Sequence, residues 1–231
     1  AYQGFYQHAR AEAAADRLRK AGNDVYIGGV TAYSTLGHFA DPVLSSMNRW
    51  NDDELVGTIF HELAHQDIYV KGDTTFNESF ATFVQRQGLK QWHAAMHLTP
   101  SDPGAEQRQQ QFTTLVLATR QRLGTIYAST LPDAAKRQRK HAEFARLRHD
   151  YRHLRDTQWH GHNDYDTWID AALNNAKLLP FGLYDQDVPA FAALFQRCQR
   201  QWRVFYSQVR VISRLSAADR AAFLSGATRL L

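Results

Sequence analysis

The chain has 231 residues, of which 44% are hydrophobic, and this is enough apolar material for one large core or for two lobes around a cleft. Its formal net charge is +4. It contains a single cysteine, so no disulfide can form within the chain. No apolar run approaches the roughly 20 residues that a membrane-spanning helix needs.

The first elements in chain order are a helix and a short strand. Residues 5–20 are rich in alanine and are typical of a helix. Residues 24–30 favour a strand because β-branched residues recur there, and the pair Gly28 and Gly29 interrupts it. An extended peptide can add to an edge strand, so the stretch 28–37 is a candidate substrate shelf. The two glycines are equally consistent with a structural bulge.

The next helix carries the most informative segment, His61-Glu62-Leu63-Ala64-His65. Apolar residues recur at helical spacing from 55 to 68, and Asn51 with the acids that follow it is a helix-start signal. Imidazoles at i and i+4 lie one turn apart on the same face, where both can reach one metal ion. Glu62, between the two histidines, would then face the remaining ligand of that metal.

Glu78 is the candidate for a third ligand. It opens a helix predicted over residues 78–92, which should pack antiparallel to the helix of His61 and His65 across a short loop. Two histidines, one glutamate and an open position form the ligand set of a catalytic zinc. The structural alternative is a capping box, in which Glu78 bonds back to the amide of Thr75.

Asn77, next to the candidate ligand Glu78, is a candidate to orient Glu78 or a histidine from outside the ligand set. Helix capping explains its presence almost as well.

The remainder of the chain is predicted to be helical. The 136–155 stretch is strongly basic, but its apolar residues recur on one face, so its charges are best explained as the solvated face of an amphipathic helix. No nucleic-acid motif accompanies it, and no nucleic-acid partner is expected. The predicted elements are a hairpin of helices at 106–128 and 132–156, a helix at 165–177, a loop at 179–187, and helices at 188–213 and 217–224.

Several blocks of the sequence resemble a family of bacterial proteins described as predicted aminopeptidases. The segment 77–83, Asn-Glu-Ser-Phe-Ala-Thr-Phe, is also similar to the NEGFA-type motif that carries the third zinc ligand in gluzincin aminopeptidases. Twelve residues separate His65 from Glu78, fewer than in those larger enzymes, so their substrate-binding residues are not carried over. The blocks that carry the resemblance are 24–37, 61–66, 70–74, 76–84 and 173–185.

The resemblance also implies a location. The chain begins at Ala1 rather than at Met, and precursors in this family commonly begin with an export or lipoprotein signal. The expectation is therefore a processed protein of the periplasm or cell envelope, with a lipid anchor on the precursor.

Together these features predict an α+β fold that is predominantly helical, with a small β-sheet flanking the HExxH active-site helix. The expected organisation is a single zincin-like metallopeptidase domain over residues 1–231, with a helical hairpin insertion at about 104–156. One zinc ion bound by His61, His65 and Glu78 would activate water.

In the predicted reaction, Glu62 serves as general base in the hydrolysis of a peptide or protein substrate. Tyr184 is the first candidate to hydrogen-bond the oxyanion, with Tyr33 behind it; Tyr33 and Gly29 also belong to the candidate substrate shelf. For both tyrosines the alternative is an ordinary packed side chain.

An aminopeptidase is the favoured function. The alternatives are a zinc endopeptidase and a non-catalytic binding or regulatory protein on a peptidase scaffold. The presence of Glu62 argues against the last, since a binding role has no need of a general base.

Overall fold

The structure is a computed structural model of the chain, and it describes residues 3–29, 47, 50–100, 102–182 and 185–226. The chain divides into two compact units, of which the first comprises Ala1–Gly29 with Gly104–Phe181 and the second Val30–Pro103 with Gly182–Leu231. The regular structure of the described residues consists of the helices α1 (His8–Lys20), α2 (Asp52–Asp67), α3 (Thr74–Met96), α4 (Ala105–Ala128), α5 (Asp133–Thr157), α6 (Asp166–Asp170), α7 (Asn175–Leu178), α8 (Val188–Arg197), α9 (Trp202–Ser213) and α10 (Ala217–Leu224).

The first unit is built on the hairpin of α4 and α5, whose predicted bounds agree with the structure to within a residue. Apolar side chains on both helices, including Phe112 and Leu147, are fully buried in its core. The ring of Phe112 stacks on that of Tyr165 with centroids 3.8 Å apart. The hydroxyl of Tyr151 donates a hydrogen bond of 2.5 Å to Asp166, which holds α6 against the hairpin.

The basic residues of α5 are largely engaged within this unit. Lys140 pairs with Asp24 at 2.6 Å, and Arg155 pairs with Asp166 at 2.8 Å. The guanidinium of Arg148 donates to the backbone carbonyls of residues 169 and 171. These contacts give the predicted charge run a structural role in the first unit.

In the second unit α2 and α3 pack side by side in antiparallel orientation, as the sequence predicts. Gly88 of α3 lies directly over the ring of Phe60 in α2, so closely that a Cβ atom would stand 2.9 Å from that ring. The other side of α3 is aromatic and packs against α8 and α9 in a core that includes Phe76, Phe80, Phe83, Phe191, Phe195 and Phe205. Helix α3 is therefore packed on two sides, against α2 and against α8 with α9.

The predicted small β-sheet, and with it the α+β class, is wrong for the part of the chain that the structure describes, because no strand occurs there. The predicted strand is irregular over residues 24–29, and its Val25 carbonyl is bound by a side chain rather than by a neighbouring strand. The side-chain Nδ2 of Asn174 donates to the carbonyl of Val25 at 2.9 Å, and the carboxylate of Asp24 accepts from the backbone N–H of Asn175.

Two predicted helices are each broken into a pair. The helix expected at 165–177 is divided into α6 and α7, because the side chain of Asn174 caps a new helix by accepting from the amide of Lys177. The helix expected at 188–213 ends after Arg197, and residues 199 and 200 both have positive φ angles. This turn returns Trp202 onto Phe195, with ring centroids 4.6 Å apart.

Within the described residues, none of the helices is both long enough and apolar enough to cross a membrane.

Replacing Gly88 by alanine should destabilise the second unit by about 1–3 kcal/mol, because the new Cβ would force the ring of Phe60 or the helix to move. Gly124, in the interior of α4, is the matched control, since a Cβ there would meet nothing within 4 Å. Gly124→Ala should instead stabilise by roughly 0.5–1 kcal/mol through helix propensity. Scanning calorimetry measures both shifts, and a Gly88→Ala variant as stable as the parent would contradict the close packing.

Candidate metal centre

The first helix of the centre, α2, begins with a complete capping box. The side chain of Asn51 accepts from the amide of Glu54 at 2.9 Å, and the Glu54 carboxylate accepts from the amide of Asn51 at 3.2 Å. The capping box fixes where α2 begins, and the four-residue spacing within the helix places His61 and His65 one turn apart. His65 is buried and His61 is half-buried.

The second helix, α3, starts earlier than the sequence predicts, because Asp73 is its N-cap residue. The Asp73 carboxylate accepts from the amide of Phe76 at 3.1 Å, and its other oxygen accepts from the buried guanidinium of Arg220 at 2.7 Å. The alternative capping box between Thr75 and Glu78 is therefore not formed. Glu78 lies in the second turn of the helix, with its carboxylate directed at α2.

The turn between the two helices is fastened by Asn77. Its side-chain oxygen accepts from the amide of Val70 and its side-chain nitrogen donates to the carbonyl of Val70, both at 2.8 Å. Both ends of the Asn77 amide are thus used on the turn, rather than on Glu78 or a histidine. Its contribution to the centre is to fix where α3 begins relative to α2.

The side chains of His61, His65 and Glu78 converge, with one ligand atom from each lying within 4.8 Å of the others. The two Nε2 atoms are 3.1 Å apart, and the Glu78 oxygens lie 3.3 Å from Nε2 of His61 and 3.7 Å from Nε2 of His65. Bonds of about 2.0–2.1 Å to a tetrahedral zinc would place its ligand atoms roughly 3.3 Å apart. The three donors therefore have the spacing that such an ion requires.

The contact at the opposite edge of the His61 ring is also consistent with metal binding through Nε2. Nδ1 of His61 lies 3.1 Å from the side-chain oxygen of Gln85, so a neutral ring with its proton on Nδ1 would donate to Gln85 and direct the lone pair of Nε2 toward the centre. That lone pair faces the Nε2 of His65 and the carboxylate of Glu78. With both rings neutral and their Nε2 lone pairs facing inward, a cation between the three donor atoms would satisfy them, so the donor set is compatible with a metal ion.

The charge state of Glu78 agrees with a role as an anionic ligand. Burial acts to raise the pKa of its carboxyl, but hydrogen bonds and charge from the protonated forms of His61 and His65 outweigh burial and lower that pKa to about 2. Glu78 is therefore ionised at neutral pH.

Gln85 is a residue of this centre that the sequence analysis missed. It lies seven residues after Glu78, two turns along the same face of α3, and its side chain rests against Gly57 of α2. A Cβ at position 57 would come within 3.3 Å of the Gln85 amide nitrogen, so the absence of a side chain there makes room for this contact. The signal available in the sequence was a polar residue at helical spacing from the ligand.

Of the four remaining predicted site residues, Glu62 and Gly29 lie within the described part of the chain. Glu62 is half-buried on α2 and is not one of the three converging residues. Gly29 is exposed, in the first unit. Tyr33 and Tyr184 lie outside the described residues.

His93, which repeats the i,i+4 spacing with a second histidine, bonds instead to Asp53 at 2.6 Å. Across the described chain, the three converging side chains are the one group of three or more potential ligands that the structure brings together.

This convergence on two helices defines a candidate metal centre of the type that the HExxH pattern predicts. The chain belongs to the family described as "Putative aminopeptidase", whose sequence model matches residues 1–224. Family membership therefore points to a peptidase. No curated protein and no solved structure matches the chain.

If the three residues bind zinc as the sequence predicts, replacing Gln85 by leucine should weaken that binding by about 10–100-fold, because His61 loses the acceptor that orients its ring. Gln85→Glu keeps an acceptor oxygen at the same position and should retain the affinity. Competition with a chromophoric chelator measures both dissociation constants. Equal affinity in the leucine variant and the parent would mean that Gln85 does not orient His61.

Proposed function

We propose that this protein is a zinc-dependent aminopeptidase whose centre is formed by His61, His65 and Glu78. The observation that carries the proposal is the convergence of two imidazole nitrogens and a carboxylate between α2 and α3, at spacings of 3.1–3.7 Å. Membership of a family described by aminopeptidase activity supports the reaction. The expected substrate is a peptide or protein.

Zinc bound by this trio supplies Lewis acidity, which polarises a carbonyl group and makes water easier to deprotonate. Glu62 acts as the general base, since it follows His61 directly on α2 and is left out of the converging trio. Its carboxylate takes a proton from the attacking water as the carbon–oxygen bond forms. The same proton then passes to the leaving amine as the carbon–nitrogen bond breaks.

Two contacts hold the protein groups in place for this reaction. Gln85 fixes the ring of His61 from behind. The Asp73–Arg220 pair fixes the first turn of α3, one turn before Glu78. A periplasmic or envelope location, with a lipid anchor on the precursor, belongs to the same proposal and rests on the sequence resemblance.

The proposal is tested with one peptide in two forms, N-terminally free and N-acetylated, incubated with zinc-loaded protein. An aminopeptidase binds the free amine, so we expect cleavage of the free form alone, with release of its first residue. The Glu62→Gln variant keeps the size of the side chain but loses the base, and its rate should fall by at least about 100-fold. Mass spectrometry identifies the products and the bond that is cut.

The other outcomes separate the alternatives. Equal cleavage of both forms would make the protein an endopeptidase. Cleavage that survives Glu62→Gln would remove Glu62 from the mechanism. Zinc binding without cleavage of either form would favour a non-catalytic binding protein on this scaffold.

A further inference from the structure

Tyr69 lies beside the metal centre and has no place in the mechanism described so far. It follows α2, four residues after His65, and its ring meets the ring of His65 edge-on with centroids 6.3 Å apart and an interplanar angle of 76°. The rings of His65 and His61 are themselves 4.8 Å apart. Among the described residues, Tyr69 is therefore the next aromatic ring in line from the two candidate ligands.

The backbone on either side of Tyr69 is fixed. Ile68 is buried, and its amide donates to the carbonyl of Ala64 at 3.0 Å as the last bond of the helix. Val70 has both its amide and its carbonyl bonded to the side chain of Asn77. These two anchors fix the point from which the side chain of Tyr69 starts.

The side chain of Tyr69, in contrast, is half exposed at 52%. No other described residue hydrogen-bonds to its hydroxyl. A single exposed aromatic residue is ordinary by itself. An exposed phenol whose ring contacts a ligand ring is different, because it offers a donor to a molecule that enters the centre from solvent.

We propose that Tyr69 is a catalytic residue of this centre, and that its hydroxyl donates a hydrogen bond to the oxyanion that forms when a peptide carbonyl is attacked. This inference rests on the proposed peptidase function. The tetrahedral intermediate carries a negative charge on oxygen that the substrate lacks, so a donor at this point stabilises the transition state more than the bound substrate. The proposed role of Tyr69 also gives Asn77 a function, since Asn77 fixes the turn from which Tyr69 projects.

The test compares Tyr69→Phe with the parent, using the peptide that the zinc-loaded parent cleaves. Loss of one oxyanion donor lowers kcat by about 100-fold or more, and we expect that loss with KM and zinc affinity unchanged. Binding of a phosphinic peptide, which mimics the tetrahedral state, should weaken by about the same factor when measured by calorimetry. Tyr127→Phe is the matched control, because Tyr127 is an exposed tyrosine of the first unit that bonds to Asn175; its removal should change none of these values.

Two results would overturn the role of Tyr69 while leaving the proposed function intact. One is a Tyr69→Phe variant with the kcat and phosphinate affinity of the parent. The other is a loss of activity accompanied by an equal loss of zinc affinity, which would make Tyr69 a support for His65. If the zinc-loaded parent itself neither cleaves peptides nor binds the phosphinic peptide, the proposed function fails, and the role of Tyr69 fails with it.

Discussion

The close antiparallel contact between α2 and α3 is the constraint on which the candidate centre depends. Helical spacing alone brings His61 and His65 together, but only a neighbouring helix at short distance can add Glu78. Glycine makes that distance possible at Gly57 and Gly88, where the side chain of the opposite helix occupies the space that a Cβ would need. Two positions without side chains thus determine whether three donor atoms can meet.

The remainder of the second unit fixes this contact from outside. The aromatic side of α3 is buried against α8 and α9, so α3 cannot rotate about its axis without exposing Phe80 and its neighbours. Arg220, from α10, binds the N-cap residue Asp73 and so fixes the start of α3 along that axis. Rotation and translation of the helix that carries Glu78 are therefore restrained by separate parts of the sequence.

Local patterns in the sequence predict most of the helices and the convergence of the three candidate ligands. These features depend on i,i+4 spacing and on a short loop, both of which can be read within about 20 residues. The sequence prediction is wrong or incomplete where local structure depends on contacts between residues that lie far apart in the chain. The segment around Val25 looks like a strand, but the polar group that binds it comes from Asn174, 149 positions later in the chain. Gln85 was missed because its partner, His61, lies on another helix.

The order of the segments along the chain has a consequence for synthesis. The second unit is discontinuous: α2 and α3 precede residue 104, whereas α8 and α9, which bury the aromatic side of α3, follow residue 182. About 100 residues are translated between the two, which takes roughly 5–20 s at ribosomal rates. During this interval the phenylalanines of α3 emerge without their native cover. A chaperone that binds apolar nascent segments therefore has its most exposed target in the same helix that later supplies Glu78.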